Sequence, residues 1–531
     1  MIINKSGDGS GWLFPESFAY LLESQGSDGG WDPLQQSTRS LGYPNSLWLT
    51  DCIIHSLAAL LALCRHARGP DPPADVSPIL GARSFLHQKL SIWTLEDITH
   101  LGFELLMPVH LLLLQEEGIK FEFPSKVKLF RKFQEASAVD LDWLYDEAPC
   151  QVPLFSLEAY IGKLDFSRLS HLPTSSGVAA SPASTAAFLI HFPRWSAQCE
   201  AYLRRIVIRG PGKGNGSVPR VFPLELFEPT WVLATLLEVG FTKEHLGAAQ
   251  VDLLLQFLYR NLKDDGVIGA TKAFFLDAED TSRALMLLNL NGYNLSPVSL
   301  VTRFEVEDCF ATFDTKISKH VKSISVNGNM LYSLPQYPTP STIVPQIEKV
   351  ARFLCKQWRT HSTEIQDHWN ISFYYTLMRI AQPLALLMSA HSQNRLSLSL
   401  DLFQGLAPDC LQGIRTLILA HQHADGTWGR LPCPEETAYA VVALAHIKSS
   451  HVIPADEGSL DPAMHRATRV LWQACVSKCP SPDRLWTGKV LHGISSVREA
   501  YMLAALRIGM NHVSLADSNP LTASLYRLWS W

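Results

Sequence analysis

Positive charge is in short supply in this chain. Its 45 Lys and Arg against 50 Asp and Glu leave a net charge of -5, and the basic residues are scattered rather than gathered on one stretch. A nucleic-acid partner needs a basic footprint, so that class is excluded. Long apolar runs are missing as well. Runs such as Leu57 to Leu63 fall far short of the roughly 20 residues that cross a bilayer, and no transmembrane segment is expected. Met1 to Gly11 is polar and glycine-rich and leads into no apolar stretch, which is not the pattern of a secretory leader. Ten cysteines lie without the close, regular spacing of a disulfide framework or a zinc site, so reduced thiols and a cytoplasmic location are expected. Alternating strand patterns are sparse.

What is present is helical periodicity. Apolar residues recur at helical spacing over Trp48 to Leu63, Leu101 to Leu114, Ser184 to His191, Trp231 to Val239, Val251 to Leu262, Val344 to Trp358, Phe373 to Met388, Leu411 to Gln422 and Thr437 to Ile447. Prolines and glycines fall between these stretches, as in helices joined by loops. With 531 residues, 47% hydrophobic and only 18% charged, the chain can bury two sizeable cores. The expected fold class is all-α.

Two distant segments share one pattern. Gln25-Gly26-Ser27-Asp28-Gly29-Gly30-Trp31 and Gln422-His423-Ala424-Asp425-Gly426-Thr427-Trp428 both read Gln-x-x-Asp-Gly-x-Trp, each after a helical stretch. The glycine marks a tight turn, the Trp returns to pack on helix ends, and the Gln bonds nearby backbone. One copy near each end implies one structural unit per half.

The densest chemistry lies in Phe275-Leu276-Asp277-Ala278-Glu279-Asp280-Thr281-Ser282-Arg283-Ala284-Leu285, with three carboxylates in four residues ahead of an apolar helical run. Like charges this close cannot all ionise cheaply, so at least one carboxyl is pushed towards its protonated form and becomes a candidate general acid. The bland alternative is that Asp280, Thr281 and Ser282 merely cap the helix that follows.

Residues Asp277 to Thr281 resemble the Asp-x-Asp-Asp-Thr signature of class II terpene cyclases, with Glu279 where that family carries its acidic Asp. The two Gln…Trp segments resemble the motif that ties outer helices in the α-barrels of triterpene and diterpene cyclases. Further segments resemble class II diterpene cyclases of the copalyl diphosphate synthase kind, in family order and closest to fungal members. They are His100-Leu101-Gly102-Phe103-Glu104, Ser156-Leu157-Glu158-Ala159, Leu164-Asp165-Phe166, Ser181-Pro182-Ala183-Ser184-Thr185-Ala186, Val218 to Glu228, Asn327-Gly328-Asn329-Met330-Leu331, and Leu485 to Val490 before Arg498-Glu499-Ala500-Tyr501.

The resemblance implies two α-helical barrel domains, a γ-like one over residues 1–240 and a β-like one over 241–531 that carries the acidic motif, with the active cavity between them. It implies protonation of the terminal alkene of geranylgeranyl diphosphate and closure to a bicyclic, labdane-type (copalyl-like) diphosphate with the diphosphate retained. Glu279 would be the acid, Asp277 and Asp280 would orient its proton and stabilise the carboxylate left behind, and Asn327 and Asn329 would hydrogen-bond near it. Mg²⁺ would accompany the diphosphate at Glu96 and Asp97, and Lys126, Lys128 and Arg131 lie where the family keeps a phosphate-facing base; a solvated basic face is the alternative. Phe155 and Arg220 stand where plant enzymes making the ent isomer hold a water base with His and Asn, so that base is absent. The family's Tyr-Asp-Thr-Ala-Trp segment does not precede the helix from Phe14 to Ser24, which implies an incomplete N-terminus. The class I metal motifs are missing, Asp264-Asp265 reads as a turn before Gly266, and no α domain follows. The product would then pass to a separate class I terpene synthase or a phosphatase. A triterpene cyclase, a cyclase of another prenyl diphosphate, and a decayed helical binding scaffold are the alternatives; a protein prenyltransferase β subunit lacks its Asp-x-Cys zinc pair here.

Overall fold

The nine apolar stretches become spines of helices. The computed structural model describes residues 11–31, 45–69, 75–95, 98, 100–138, 141–146, 152–262, 266–314, 322–430, 432–453, 457–476 and 484–509, and among these there is no extended strand, only isolated bridges. The chain divides into two units: Met1–Pro223 with Thr487–His492, and Leu224–Trp486 with Gly493–Trp531. The division precedes the helix that begins at Phe227, so residues 224–240 pack with the second unit.

The first unit contains α1 (Pro15–Glu23), α2 (Asn45–Ala67), α3 (Ser77–Ile92), α4 (Phe103–Glu116), α5 (Lys126–Ser137), α6 (Pro182–His191) and α7 (Ala197–Arg209). α2 is long and apolar enough to cross a membrane, yet 72% of its apolar window is buried inside the unit, against α3 and α4. That is the signature of a core helix. Thr487–His492 returns from far along the chain into this unit. Gly488 carbonyl accepts from Leu101 N–H at 2.7 Å, Asp51 Oδ1 accepts from Leu491 N–H at 2.7 Å, and Lys489 donates to Glu158 at 2.5 Å and to Ser181 Oγ at 3.0 Å.

The second unit runs α8 (Phe227–Glu238), α9 (Lys243–Leu246), α10 (Ala248–Leu262), α11 (Ala278–Leu290), α12 (Val298–Phe304), α13 (Ile324–Ser333), α14 (Val344–His361), α15 (Phe373–Ser392), α16 (Ala407–Ala420), α17 (Pro434–Ser449), α18 (Glu457–Val476) and α19 (Ser495–Gly509). Six of these close a ring in the order α8, α11, α13, α15, α17, α19 and back to α8. Outside it, α10 packs on α11, α14 on α13, α16 on α15, and α18 on both α17 and α19. This is an α/α barrel. It explains why α15 is buried nearly all round while α14 keeps one polar face: an inner helix meets protein on both sides, an outer one only on its inner side.

The two Gln-x-x-Asp-Gly-x-Trp segments fold alike. Gln25 Nε2 donates to the carbonyls of Gly29 (2.8 Å) and Pro78 (2.9 Å), and Gln422 Nε2 to those of Gly426 (3.0 Å) and Ala463 (2.8 Å). Trp31 Nε1 returns to Leu21 carbonyl at 2.8 Å, and Trp428 Nε1 to Ile418 carbonyl at 2.7 Å. Each motif thus ties the end of its preceding helix to a later one. The glycine is required because it sits at φ +87° in Gly29 and +94° in Gly426, with backbone or Cβ of the partner helix where a side chain would go.

Candidate functional site

Asp277 opens α11 as its N-cap, in extended conformation, with Oδ1 accepting from Asp280 N–H at 2.7 Å. Thr281 pins the same turn. Its hydroxyl has the carbonyls of Asp277 (2.6 Å) and Ile268 (2.9 Å) as acceptors for its one proton and accepts from Ile268 N–H at 3.0 Å. Asp277 is thus committed to the helix start, which leaves Glu279, in the first turn, to face elsewhere.

Glu279 is 8% exposed, and its Oε1 accepts from Asn329 Nδ2 on α13 at 2.5 Å. The amide oxygen of Asn329 in turn accepts from two fully buried arginines, Arg283 Nη1 at 2.8 Å and Arg379 Nη1 at 2.9 Å. Arg283 lies 4.7 Å over the Trp231 ring and 3.7 Å from Glu238; Arg379 donates to the Tyr501 hydroxyl and stacks near Tyr375. Asn329 can come this close because the residue before it is glycine. A Cβ on Gly328 would stand 2.2 Å from the Arg379 carbonyl oxygen, so only glycine lets α13 meet α15 here.

Burial pushes the Glu279 carboxyl up to about 8, helped by the charges of Asp367 and Asp277 and opposed by Arg379 and the Asn329 hydrogen bond. Asp277 rises to about 6, again by burial, with its bonds to Asp280 holding it down. Asp280 is held well above the usual carboxylate range by burial and then by Asp277. The cluster therefore keeps a proton at neutral pH, in surroundings that include Phe275 and Phe313 packed edge to face at 4.4 Å.

The structure brings Asp277, Glu279, Asp280 and Asn329 into one group. It does not place Asn327 there, which corrects the expectation of two asparagines near the acid. Asn327 Nδ2 donates to the carbonyls of Phe310 and Ser323 and its Oδ1 accepts from Phe310 N–H, so both amide atoms are spent on backbone. Lys128 and Arg131 are exposed on α5, in the first unit. Phe155 is buried there with Lys489 Nζ 4.5 Å from its ring centroid, and Arg220 Nη2 meets His492 Nε2 at 2.9 Å. Glu96, Asp97 and the Asp264-Asp265 pair lie outside the described residues, among which no three His, Cys, Asp or Glu side chains are grouped to hold a metal ion.

Three residues of the site have no local signal in the sequence. Asp367 accepts from Ser323 Oγ (2.8 Å), Ser325 N–H (2.9 Å) and Trp369 N–H (2.9 Å), fixing the start of α13 while its charge reaches Glu279. Arg379 lies inside an apolar helix. Arg283 follows the acidic motif but reaches its partners only through ring closure.

No protein-family model matches this chain. It is 33% identical over 96% of its length to a copalyl diphosphate synthase of Talaromyces verruculosus and 34% identical over 96% to an ent-kaur-16-ene synthase of a Phaeosphaeria species. A pimaradiene synthase of Emericella nidulans is 32% identical over 96%. The chain covers 52%, 53% and 52% of these proteins, so it spans about half the length of the curated relatives it matches. Among solved structures, ent-copalyl diphosphate synthase from Streptomyces platensis superposes with a TM-score of 0.73 at 22% identity, over 94% of this chain and 95% of that one. The Arabidopsis thaliana enzyme of that name gives 0.56 at 18%, over 99% and 75%. The chain is thus similar, over nearly its whole length, to about half the length of fungal copalyl diphosphate synthase and ent-kaurene synthase-type proteins, and its fold is that of the class II terpene cyclases.

Proposed function

We propose that this chain is a class II diterpene cyclase acting on geranylgeranyl diphosphate. The observation that carries the reading is a buried Glu279 carboxyl that retains its proton to about pH 8 and has an amide donor already in place for the carboxylate it would become. In the reaction proposed, the Glu279 O–H bond breaks as a C–H bond forms at the terminal alkene. The tertiary cation is attacked by neighbouring π bonds, two rings close, and loss of a substrate proton ends the sequence with the diphosphate retained. Aromatic side chains suit the cation because they offer π faces without a nucleophile.

Glu279 would act as the acid, Asp277 and Asp280 would orient its proton, and Asn329 with them would stabilise the carboxylate left behind. The copalyl-like skeleton, Mg²⁺ at Glu96 and Asp97, diphosphate recognition by Lys128 and Arg131, a cytoplasmic location and a separate class I synthase or phosphatase downstream are proposals carried by the resemblance. None of the eight cysteines among the described residues is in a disulfide, which is in keeping with the location.

The test is incubation with geranylgeranyl diphosphate and Mg²⁺, phosphatase treatment, and mass spectrometry of the alcohols. A bicyclic diterpenol is expected, and it should vanish in Glu279→Gln. Geranylgeraniol alone would overturn the substrate assignment.

A further inference from the structure

Proton donation to an alkene sets two demands on Glu279 that conflict. The group must hold its proton at neutral pH, and it must be strong enough to release it to carbon. Burial beside Asp277 and Asp367 meets the first demand and, by itself, weakens the acid. We infer that Arg283 and Arg379 meet the second as positioning residues, acting through Asn329; this rests on the proposed role of Glu279.

An asparagine amide can face either way, and only one orientation puts a donor on the acid. Here both guanidiniums converge on Oδ1, at 2.8 and 2.9 Å, so a flipped amide would point NH₂ at two cations. Nδ2 is thereby turned to Glu279 Oε1 (2.5 Å) and to Ser325 carbonyl (3.1 Å). The two cations also polarise the amide, making Nδ2–H a stronger donor, and that bond favours the carboxylate over the neutral acid. The arginines are fixed in turn. Arg283 is held by the Trp231 ring and Glu238, and Glu238 Oε2 accepts from Gln382 at 2.9 Å; Arg379 is held by Tyr501. The charged and titratable groups around Glu279 and its amide partner are Asp277, Asp280 and Arg283 on its own segment, Asp367 ahead of α15, Tyr375 and Arg379 on α15, Tyr501 on α19, and Glu238 on α8. Neither guanidinium has a hydrogen bond or ion pair to a Glu279 oxygen, which is why the amide between them matters.

The experiment is an infrared titration of the protonated-carboxyl band that disappears in Glu279→Gln, run on the whole chain without substrate, so its outcome stands apart from whether geranylgeranyl diphosphate is turned over. Arg283→Gln and Arg379→Gln are each expected to move that titration up by about one unit, as loss of a favourable interaction with the charged form requires. Asn329→Leu should do the same, and adding Arg283→Gln to Asn329→Leu should add nothing, since the path is already cut. With turnover measured alongside, kcat should fall about 10-fold with KM changed less than about twofold. Thermal unfolding screens out misfolded variants, and Asn329→Leu, which removes no charge, keeps the test open if the arginine variants do not fold. An Arg283→Gln shift that persists in full beside Leu at 329, or no shift in either background, would overturn the inference.

Discussion

At the scale of the residue, the proposed acid, Glu279, is defined by opposing neighbours. Asp367 and Asp277 raise the Glu279 carboxyl and Arg379 lowers it, on top of burial. Because the raised group is active only when protonated, activity should be full below about pH 7 and fall as pH rises through about 8. Asp367→Asn removes one of the raising charges, so the alkaline limb of kcat should move down by about one pH unit. An alkaline limb that stays in place would show that Asp367 does not act on the acid. Glu279→Asp shortens the side chain by one methylene and draws the carboxyl away from Asn329 Nδ2. A displacement near 1 Å can cost about 100-fold, so kcat is expected to drop unless the turn relaxes.

At the scale of the element, the acidic turn was legible and its support was not. Asp277, Glu279 and Asp280 announce themselves because three carboxylates fall within four residues, and the helix after them has an apolar period. Helix α13 is absent from the helical stretches legible in the sequence, since Asn327-Gly328-Asn329 has low helix propensity; tertiary contact overrides that preference where Gly328 meets the Arg379 backbone. Arg283 and Arg379 stand 46 and 50 residues from Asn329, a pairing that only ring closure creates. The two Gln…Trp turns were legible in full, because the motif carries its own turn chemistry. At Gly426 a Cβ would meet Arg466 Cβ at 2.8 Å on a backbone with φ +94°. Gly426→Ala is therefore expected to destabilise by about 1–3 kcal/mol. Trp428→Ala, at a fully buried site, should cost about 3–5 kcal/mol. Urea unfolding measures both, and values near zero would remove the tie from the account.

At the scale of the whole molecule, the second unit carries several buried carboxyls whose proton affinity is raised. Glu279 is at about 8, Glu228 at about 7 and Asp277 at about 6, each chiefly through burial. A folded-state value above the unfolded one contributes stability that is complete below the unfolded pKa and is lost as pH rises through the folded value. The thermal midpoint should thus decline from about pH 5 to about pH 8, and Glu228→Gln should flatten the part of that decline below about pH 7. His446, pushed down to about 4 by burial, works the opposite way, and its stability is lost as pH falls from about 6.5 to about 4. A midpoint that climbs steadily towards pH 8 would contradict this pattern. The barrel itself was readable as an all-α assignment, but the order in which six helices close the ring follows from packing that periodicity does not encode.

The central claim is that Glu279 gives its proton to carbon, and turnover of geranylgeranyl diphosphate in D₂O tests it most directly. The expected product carries one deuterium at the carbon the acid attacks, and Glu279→Gln forms none of it. A cyclised product without deuterium, or one labelled equally by Glu279→Gln, would contradict the account.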